Sequence, residues 1–271
     1  MKKTILITGA SSGIGKATAL FFAEQDWNVI ATMRNPEQET ELNTLDNVWL
    51  PALDVLDPIS IQQAVQDGIA RFGKIDVLVN NAGYGAYGPL EVFERENVLR
   101  QFNTNVIGLL DVTRAVIPHF RANKDGVIIN ISSVGGRLTF PFGALYHGTK
   151  FAVEGISESL SFELATFGVK VKIVEPGATA TDFAGRSFDF TNDESIAEYQ
   201  GLMSKLMKMI GDLSGNSVAA RVVAEKIYEA ATDGTDKLRY PATPDAVVLL
   251  EKRDRENDDV FIADFKKQLG L

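Results

Sequence analysis

The sequence predicts an α/β fold, a doubly wound parallel seven-stranded sheet of the Rossmann type, and three observations carry that expectation. Short apolar runs of strand length alternate with longer segments whose apolar residues recur three and four apart, the pattern of a parallel sheet covered by helices on both faces. The first apolar run ends in a turn crowded with glycines at Gly9, Gly13 and Gly15. No internal repeat, low-complexity tract or proline- and glycine-rich linker interrupts the chain, so residues 1–271 read as one domain.

In chain order, residues 4–8 read as the first strand and 15–24 as the first helix. Strands follow at 28–33 and 48–54, then a helix at 60–72 and a strand at 77–80. Helical spacing holds over 94–123, a strand over 127–131, a helix over 145–167 and a strand over 169–175. Residues 179–216 break the alternation. Ile196, Tyr199, Met203, Leu206 and Ile210 keep helical spacing there, and the segment reads either as a substrate lid over the strand ends or as a helix packed on the core. A helix at 218–232 and a strand at 238–242 complete the pattern, and the charged tail 245–271 reads as a surface helix that also offers packing against a partner subunit.

Composition narrows the function classes. With 45% apolar and 23% charged residues in 271, the chain has the balance of a folded soluble protein. Its 27 basic residues against 36 acids give a net charge of −9 with no basic stripe, which argues against a nucleic-acid partner. There is no cysteine, and only His119 and His147 supply imidazole, so no disulfide, thiolate site or transition-metal centre is expected. The apolar run after Met-Lys-Lys is too short for a signal-peptide core, and no run approaches the roughly 18 residues of a membrane span. The expected location is cytoplasmic.

The stretch TGASSGIG, Thr8 to Gly15, spaces its glycines as G-x-x-x-G-x-G rather than G-x-G-x-x-G. Read alone, it is either a tight βα loop or a phosphate cradle, in which missing β-carbons admit a pyrophosphate to the helix amino terminus. At the end of the second strand, where an acid would meet a ribose 2′-hydroxyl, the sequence reads Met33-Arg34. Arg34 is either a solvated surface arginine or a bidentate partner for a 2′-phosphate, which favours NADP(H) over NAD(H).

Further on, YHGTK places Tyr146 and Lys150 four apart, on one face of a helix, thirteen residues after Ser133. A phenol with an ordinary pKa near 10 needs about 4 kcal/mol of differential stabilisation to titrate near pH 7, and a neighbouring ammonium with a cationic nicotinamide would supply it. Singly, each residue also has a structural reading, as a packed aromatic, a surface charge and a turn serine.

Together, TGASSGIG at 8–15, NNAG at 80–83, NVIG from Asn105, Ser133, YHGTK at 146–150 and Pro176-Gly177 closely resemble the short-chain dehydrogenase/reductase family over residues 4–182. The branch nearest in pattern is that of the hydroxysteroid and retinol dehydrogenases, through YGAYGPLE and ATMRN. The resemblance implies Tyr146 as acid–base, Lys150 as the group that lowers its pKa and binds the nicotinamide ribose, Ser133 on the substrate carbonyl, and Asn105 holding a relay water. It implies cofactor contacts by Gly9, Ser11, Ser12, Gly13, Ile14, Gly15, Arg34, Asp54, Val55, Asn81, Ala82, Gly83, Tyr146, Lys150, Pro176, Gly177, Thr179 and Thr181. Thr179 stands where an aliphatic residue is usual, and Gly148 where alanine or serine is usual.

The implied function is an NADP(H)-dependent oxidoreductase moving a hydride between the nicotinamide and a small-molecule carbonyl or secondary alcohol. Phe140, Phe142, Phe183, Phe188 and Phe190 would line an apolar pocket for a lipophilic substrate, or serve a core or subunit contact. Family members are generally homodimers or homotetramers. Two rival readings keep the same fold: a catalytically silent NADP(H)-sensing or scaffold protein, and a non-redox dehydratase or epimerase.

Overall fold

The computed structural model describes residues 2–181 and 187–271. The chain begins with β1 (Thr4–Ile7), α1 (Gly13–Glu24), β2 (Asn28–Ala31), β3 (Val48–Trp49), α2 (Pro58–Phe72), β4 (Val77–Asn80) and β5 (Gly85–Tyr87). Next come α3 (Arg95–Phe102), α4 (Gly108–Asn123), β6 (Gly126–Ile131), α5 (Ala144–Ala165) and β7 (Val169–Glu175). The last part holds β8 (Thr179–Ala180), β9 (Phe188–Phe190), α6 (Ala197–Gly215), β10 (Val218–Ala219), α7 (Ala220–Thr232), β11 (Arg239–Pro241), α8 (Pro244–Arg255) and α9 (Asp258–Leu269).

Seven strands form one sheet in the order β11-β7-β6-β4-β1-β2-β3, every pair parallel. Successive side chains of a strand face opposite sides, so the sheet serves two cores. Ile5 and Ile7 meet Phe22, Val223 and Ile227 from α1 and α7 on one face. Leu6 meets Ile61, Val112, Val116 and Phe120 from α2 and α4 on the other. These strands are buried on both sides, which explains their unbroken apolar runs.

The strand order reverses at β1, whose neighbours are β2 on one side and β4 on the other. The carboxyl ends of β1 and β4 therefore flank the crevice where ligands bind in open α/β sheets. Four short strands lie outside the main sheet, β10 with β8 and β5 with β9, and they carry segments across the same end of the molecule.

Three sequence expectations change in the structure. The run 48–54 gives only a two-residue β3 and a bridge from Met33 to Ala52, because Pro51 has no N–H to donate. The helix over 94–123 is divided by a wide π turn, Asn103–Ile107, after which Gly108 approaches Val55 so closely that a β-carbon there would lie 2.8 Å from the valine Cβ. The tail is two helices, since Asn257 caps α9 by accepting from the Val260 N–H at 3.0 Å. Among the described residues, no helix is long and apolar enough to cross a membrane.

Candidate active site

The glycine turn connects β1 to α1. Gly9 and Gly13 have φ of +67° and +54°, backbone that only glycine adopts without strain. A β-carbon on Gly15 would lie 2.4 Å from both the Asn81 amide nitrogen and the Gly9 carbonyl oxygen. That closeness is built: Asn81 Nδ2 donates to the carbonyls of Thr8 at 2.9 Å and Gly9 at 3.0 Å. In return Thr8 Oγ1 accepts from the Asn81 and Ala82 N–H groups at 3.0 and 3.1 Å. Asn81 is thus a brace for the turn, and Ala82 lies against Gly9.

The amino terminus of α1 differs from those of α2, α8 and α9. Asp57, Thr243 and Asn257 cap the latter with side-chain hydrogen bonds, whereas Ser12 at the head of α1 makes none, and α1 has no acid in its first turn. A helix end with its N–H groups and dipole directed at a glycine-lined crevice fits a pyrophosphate. Ser11 is exposed and Ser12 half-buried at its mouth. Ile14 packs on the core, and Thr181 sits against Gly13, 3.3 Å from where a β-carbon would stand.

Past the end of β2, Arg34 is exposed, and among the described residues no hydrogen bond or ion pair holds it. Lys16, by contrast, is committed to Glu39 at 2.9 Å and Glu41 at 3.0 Å. Asp54 is half-buried and accepts from the Leu56 N–H at 3.0 Å, while Val55 is buried against Gly108.

Ser133 follows β6, and its Oγ accepts from the Gly135 N–H at 3.0 Å. Its hydroxyl also bonds the Tyr146 phenol. The first turns of α5 bury Tyr146, Lys150, Val153 and Glu154 as a helical stripe. Lys150 Nζ donates to the Ile131 carbonyl at 2.8 Å and lies 5.9 Å from the Tyr146 ring centroid. Burial lowers the Lys150 ammonium to about 8, with Glu154 acting in the opposite direction. Burial also pushes the Tyr146 phenol above its ordinary value, opposed by the Ser133 hydrogen bond. The expectation of a phenol lowered by its lysine is therefore corrected for the protein alone, where desolvation of the phenolate is the larger effect.

Asn105, in the π turn, has a fully engaged amide. Its Nδ2 donates to the Tyr84 carbonyl at 2.8 Å and Thr149 Oγ1 at 3.1 Å, and its Oδ1 accepts from the Tyr84 N–H at 3.1 Å. It therefore ties the segment after Gly83 to α5. After β7, Pro176 is buried with its carbonyl accepting from Val134 N–H at 2.9 Å. Gly177 and Ala178 N–H groups donate to Thr243 Oγ1 at 3.0 Å and Asp245 Oδ2 at 2.8 Å, so the head of α8 sets this segment. Thr179 Oγ1 turns back to the Gly177 carbonyl at 3.2 Å.

Above Tyr146 lies an apolar cluster of Tyr87, Met203 and Leu206, with Phe142, Phe188 and Phe190 packed on it. Tyr87 stacks on Phe188 at 5.2 Å and lies 5.5 Å from Tyr146. Phe140 packs toward α8 and α9 with Val134, Leu138 and Phe261, and with Phe142 and Phe151 it lines an apolar pocket beside His147. Phe183 lies outside the described residues.

Sequence reasoning missed several residues that hold these groups in place. Asn80 Nδ2 donates to Thr113 Oγ1 and to Asn130 Oδ1, both at 2.9 Å, and Asn130 donates to Ser157 at 2.8 Å, a buried polar ladder joining β4, β6, α4 and α5. His147 is another, with both ring nitrogens on backbone groups. Polar residues within apolar strand runs were the signal for the first. For His147 the only signal was its place beside Tyr146 in YHGTK.

Residues 3–192 match the family model described as short chain dehydrogenase. The chain is 45% identical over 244 residues to an uncharacterized oxidoreductase of Schizosaccharomyces pombe, covering 88% of this chain and 100% of the relative. It is 43% identical over 197 residues to a protein named 3-ketodihydrosphingosine reductase from Bacteroides thetaiotaomicron, covering 73% of this chain and 69% of the relative. A short-chain dehydrogenase structure from Streptomyces avermitilis superposes with TM-score 0.82 at 34% identity, covering 98% of this chain and 95% of that one. ElxO with NADP bound superposes with TM-score 0.76 at 28% identity, covering 92% and 100%. A 3-ketoacyl-(acyl-carrier-protein) reductase from Brucella melitensis complexed with NADH gives 0.73 at 26%, covering 88% and 96%.

Proposed function

Because this chain belongs to the short-chain dehydrogenase family of oxidoreductases, we propose that it is an NADP(H)-dependent enzyme interconverting a lipophilic ketone and its secondary alcohol, with Tyr146 as acid–base. The observation that carries this reading is the meeting of half-buried Ser133 with buried Tyr146 and Lys150 at the strand ends, beside an uncapped, glycine-lined helix terminus.

NADPH supplies the hydride when bound; the protein's residues do the rest. The α1 amino terminus and the Gly9–Gly15 backbone would hold the pyrophosphate, and Arg34 would supply the positive charge for the 2′-phosphate. Ser133 Oγ directs the substrate oxygen to the Tyr146 hydroxyl, and the phenol gives its proton to that oxygen as the carbonyl carbon is reduced. Lys150, charged at neutral pH with its value near 8, stabilises the phenolate that remains. In the alcohol-oxidising direction the same phenolate takes the proton. Tyr87, Phe142, Phe188 and Met203 exclude water from these steps and offer an apolar wall to the substrate. A lipophilic ketone also agrees with the name of the Bacteroides relative, 3-ketodihydrosphingosine reductase.

Absorbance at the nicotinamide band, followed with a panel of long-chain and cyclic ketones, tests the reading. Wild type consumes NADPH, and Tyr146→Phe loses at least a thousandfold in kcat while binding NADPH within about twofold of wild type. Retention of most of the turnover by the phenylalanine variant overturns the role of Tyr146.

A further inference from the structure

The chain from Ser133 to Tyr146 joins the two oxygens that meet at the candidate site, and one buried side chain gathers it up. His147 is 3% exposed. Its Nδ1 lies 2.9 Å from the Gly135 carbonyl oxygen, and its Nε2 lies 3.0 Å from the Phe140 backbone nitrogen. A carbonyl only accepts and a backbone N–H only donates, so Nδ1 carries the proton and Nε2 is bare. Protonating Nε2 would set one N–H against another. Gly135 is also the residue whose N–H donates to Ser133 Oγ at 3.0 Å. It therefore holds His147 through its carbonyl and Ser133 through its amide.

The surroundings are cut to the imidazole. A β-carbon on Gly143 would lie 2.5 Å from His147 Cδ2, and one on Gly135 would lie 2.8 Å from Nδ1. The rings of Tyr87, Phe140 and Tyr146 enclose it at centroid distances of 5.9, 5.7 and 5.6 Å.

We infer that His147 is a positioning residue: in one neutral tautomer it clamps Gly135 to the first turn of α5 and so fixes where the Ser133 hydroxyl meets the Tyr146 phenol. The inference rests on the roles proposed above for Ser133 and Tyr146. Burial lowers the imidazole's proton affinity, in keeping with a neutral ring. The titratable groups packed on it are the phenols of Tyr87 from β5 and Tyr146 from its own helix, with Lys150 three residues along α5.

Two measurements test it. The chain has only two histidines, so nitrogen NMR of histidine-labelled protein, with His119→Gln to separate the signals, reads His147 alone. A neutral, Nδ1-protonated ring between about pH 5 and 8 is expected; the other tautomer, or titration at the ordinary value near 6.5, overturns the clamp. The second is the pH profile of alcohol oxidation with NADP. In His147→Leu the loosened Ser133 stabilises the phenolate less, so the rise in rate moves up by about one pH unit and kcat drops at least tenfold, with NADP affinity unchanged. His147→Asn, whose amide still reaches the Gly135 carbonyl, keeps the wild-type profile. A uniform loss in His147→Leu with no movement of the profile, or an Asn variant as shifted as the Leu variant, overturns the positioning role. No turnover in wild type sinks the catalytic reading and this role with it, while the NMR result still decides the clamp by itself.

Discussion

Tyr146 and Lys150 share one buried environment, and it favours the neutral form of each. Burial disfavours both phenolate and ammonium, so the phenol is pushed up while the ammonium comes down to about 8. For carbonyl reduction this arrangement suits the chemistry: a phenol that keeps its proton until negative charge develops on the substrate oxygen is an acid at neutral pH. The residues proposed to carry chemistry in their own side chains, Ser133, Tyr146 and Lys150, were legible as a motif set by type and spacing. Those that work by gripping backbone were not. His147 and Thr149 act on the backbone of Gly135, Phe140 and Tyr146, and which backbone group faces which side chain is decided only in the folded chain. Asn81 was legible as a position, but its grip on the Thr8 and Gly9 carbonyls was not. Asn105 was legible as a position, but the engagement of its amide with Tyr84 and Thr149 was not.

At the scale of elements, the strands of the parallel sheet were read closely, since both of their faces are buried and the apolar runs have nothing else to mean. The edge was read less well, because Pro51 and the solvent side of β3 weaken the pattern. Helical period alone missed the π turn at Asn103–Ile107, since one extra residue in a turn leaves apolar spacing almost unchanged. Between a lid and a core helix, the periodicity of 196–210 offered no choice; the structure sets Met203 and Leu206 of α6 with Tyr87 and Tyr146. Leu206 is 1% exposed, so Leu206→Ala costs about 2 to 5 kcal/mol of stability. If α6 walls the substrate site, the same variant raises KM for a long-chain ketone at least threefold while leaving a small ketone unaffected. Equal effects on the two substrates would make α6 a support only.

Across the whole molecule, the sheet order brings the β1 turn, the β4 turn, Ser133 and the segment after β7 together at the carboxyl ends of the central strands, while buried charge is gathered on α5, β7 and β11. On the far side of Lys150, Glu154 and Glu175 are buried near Arg239 and Arg137. Burial and the neighbouring Glu154 raise Glu175 to about 7, so the folded state binds its proton more tightly than the unfolded chain, whose value is near 4.5. Stability from this group is fully present below pH 4.5 and is lost as pH rises through 7. Glu175→Gln removes that dependence, so the melting temperature of the variant gains on wild type between pH 5 and pH 8. A difference that stays constant with pH would contradict a raised Glu175. Elsewhere the buried Lys172 is fully matched, donating to the Thr235 carbonyl at 2.6 Å and the Tyr240 hydroxyl at 2.8 Å, while Tyr240 donates to Asp233 at 2.6 Å. That set locks β7, β11 and the end of α7 without facing the candidate site.

We propose that the crevice between β1 and β4 holds NADP(H) against Tyr146, with Arg34 on the 2′-phosphate. Fluorescence titration of wild type and Arg34→Ala with NADPH and with NADH tests it most directly. NADPH is expected to bind at least tenfold tighter than NADH in wild type, a gap of about 1.4 kcal/mol that closes in Arg34→Ala. Equal affinity for the two nucleotides in wild type, or binding of neither, would contradict it.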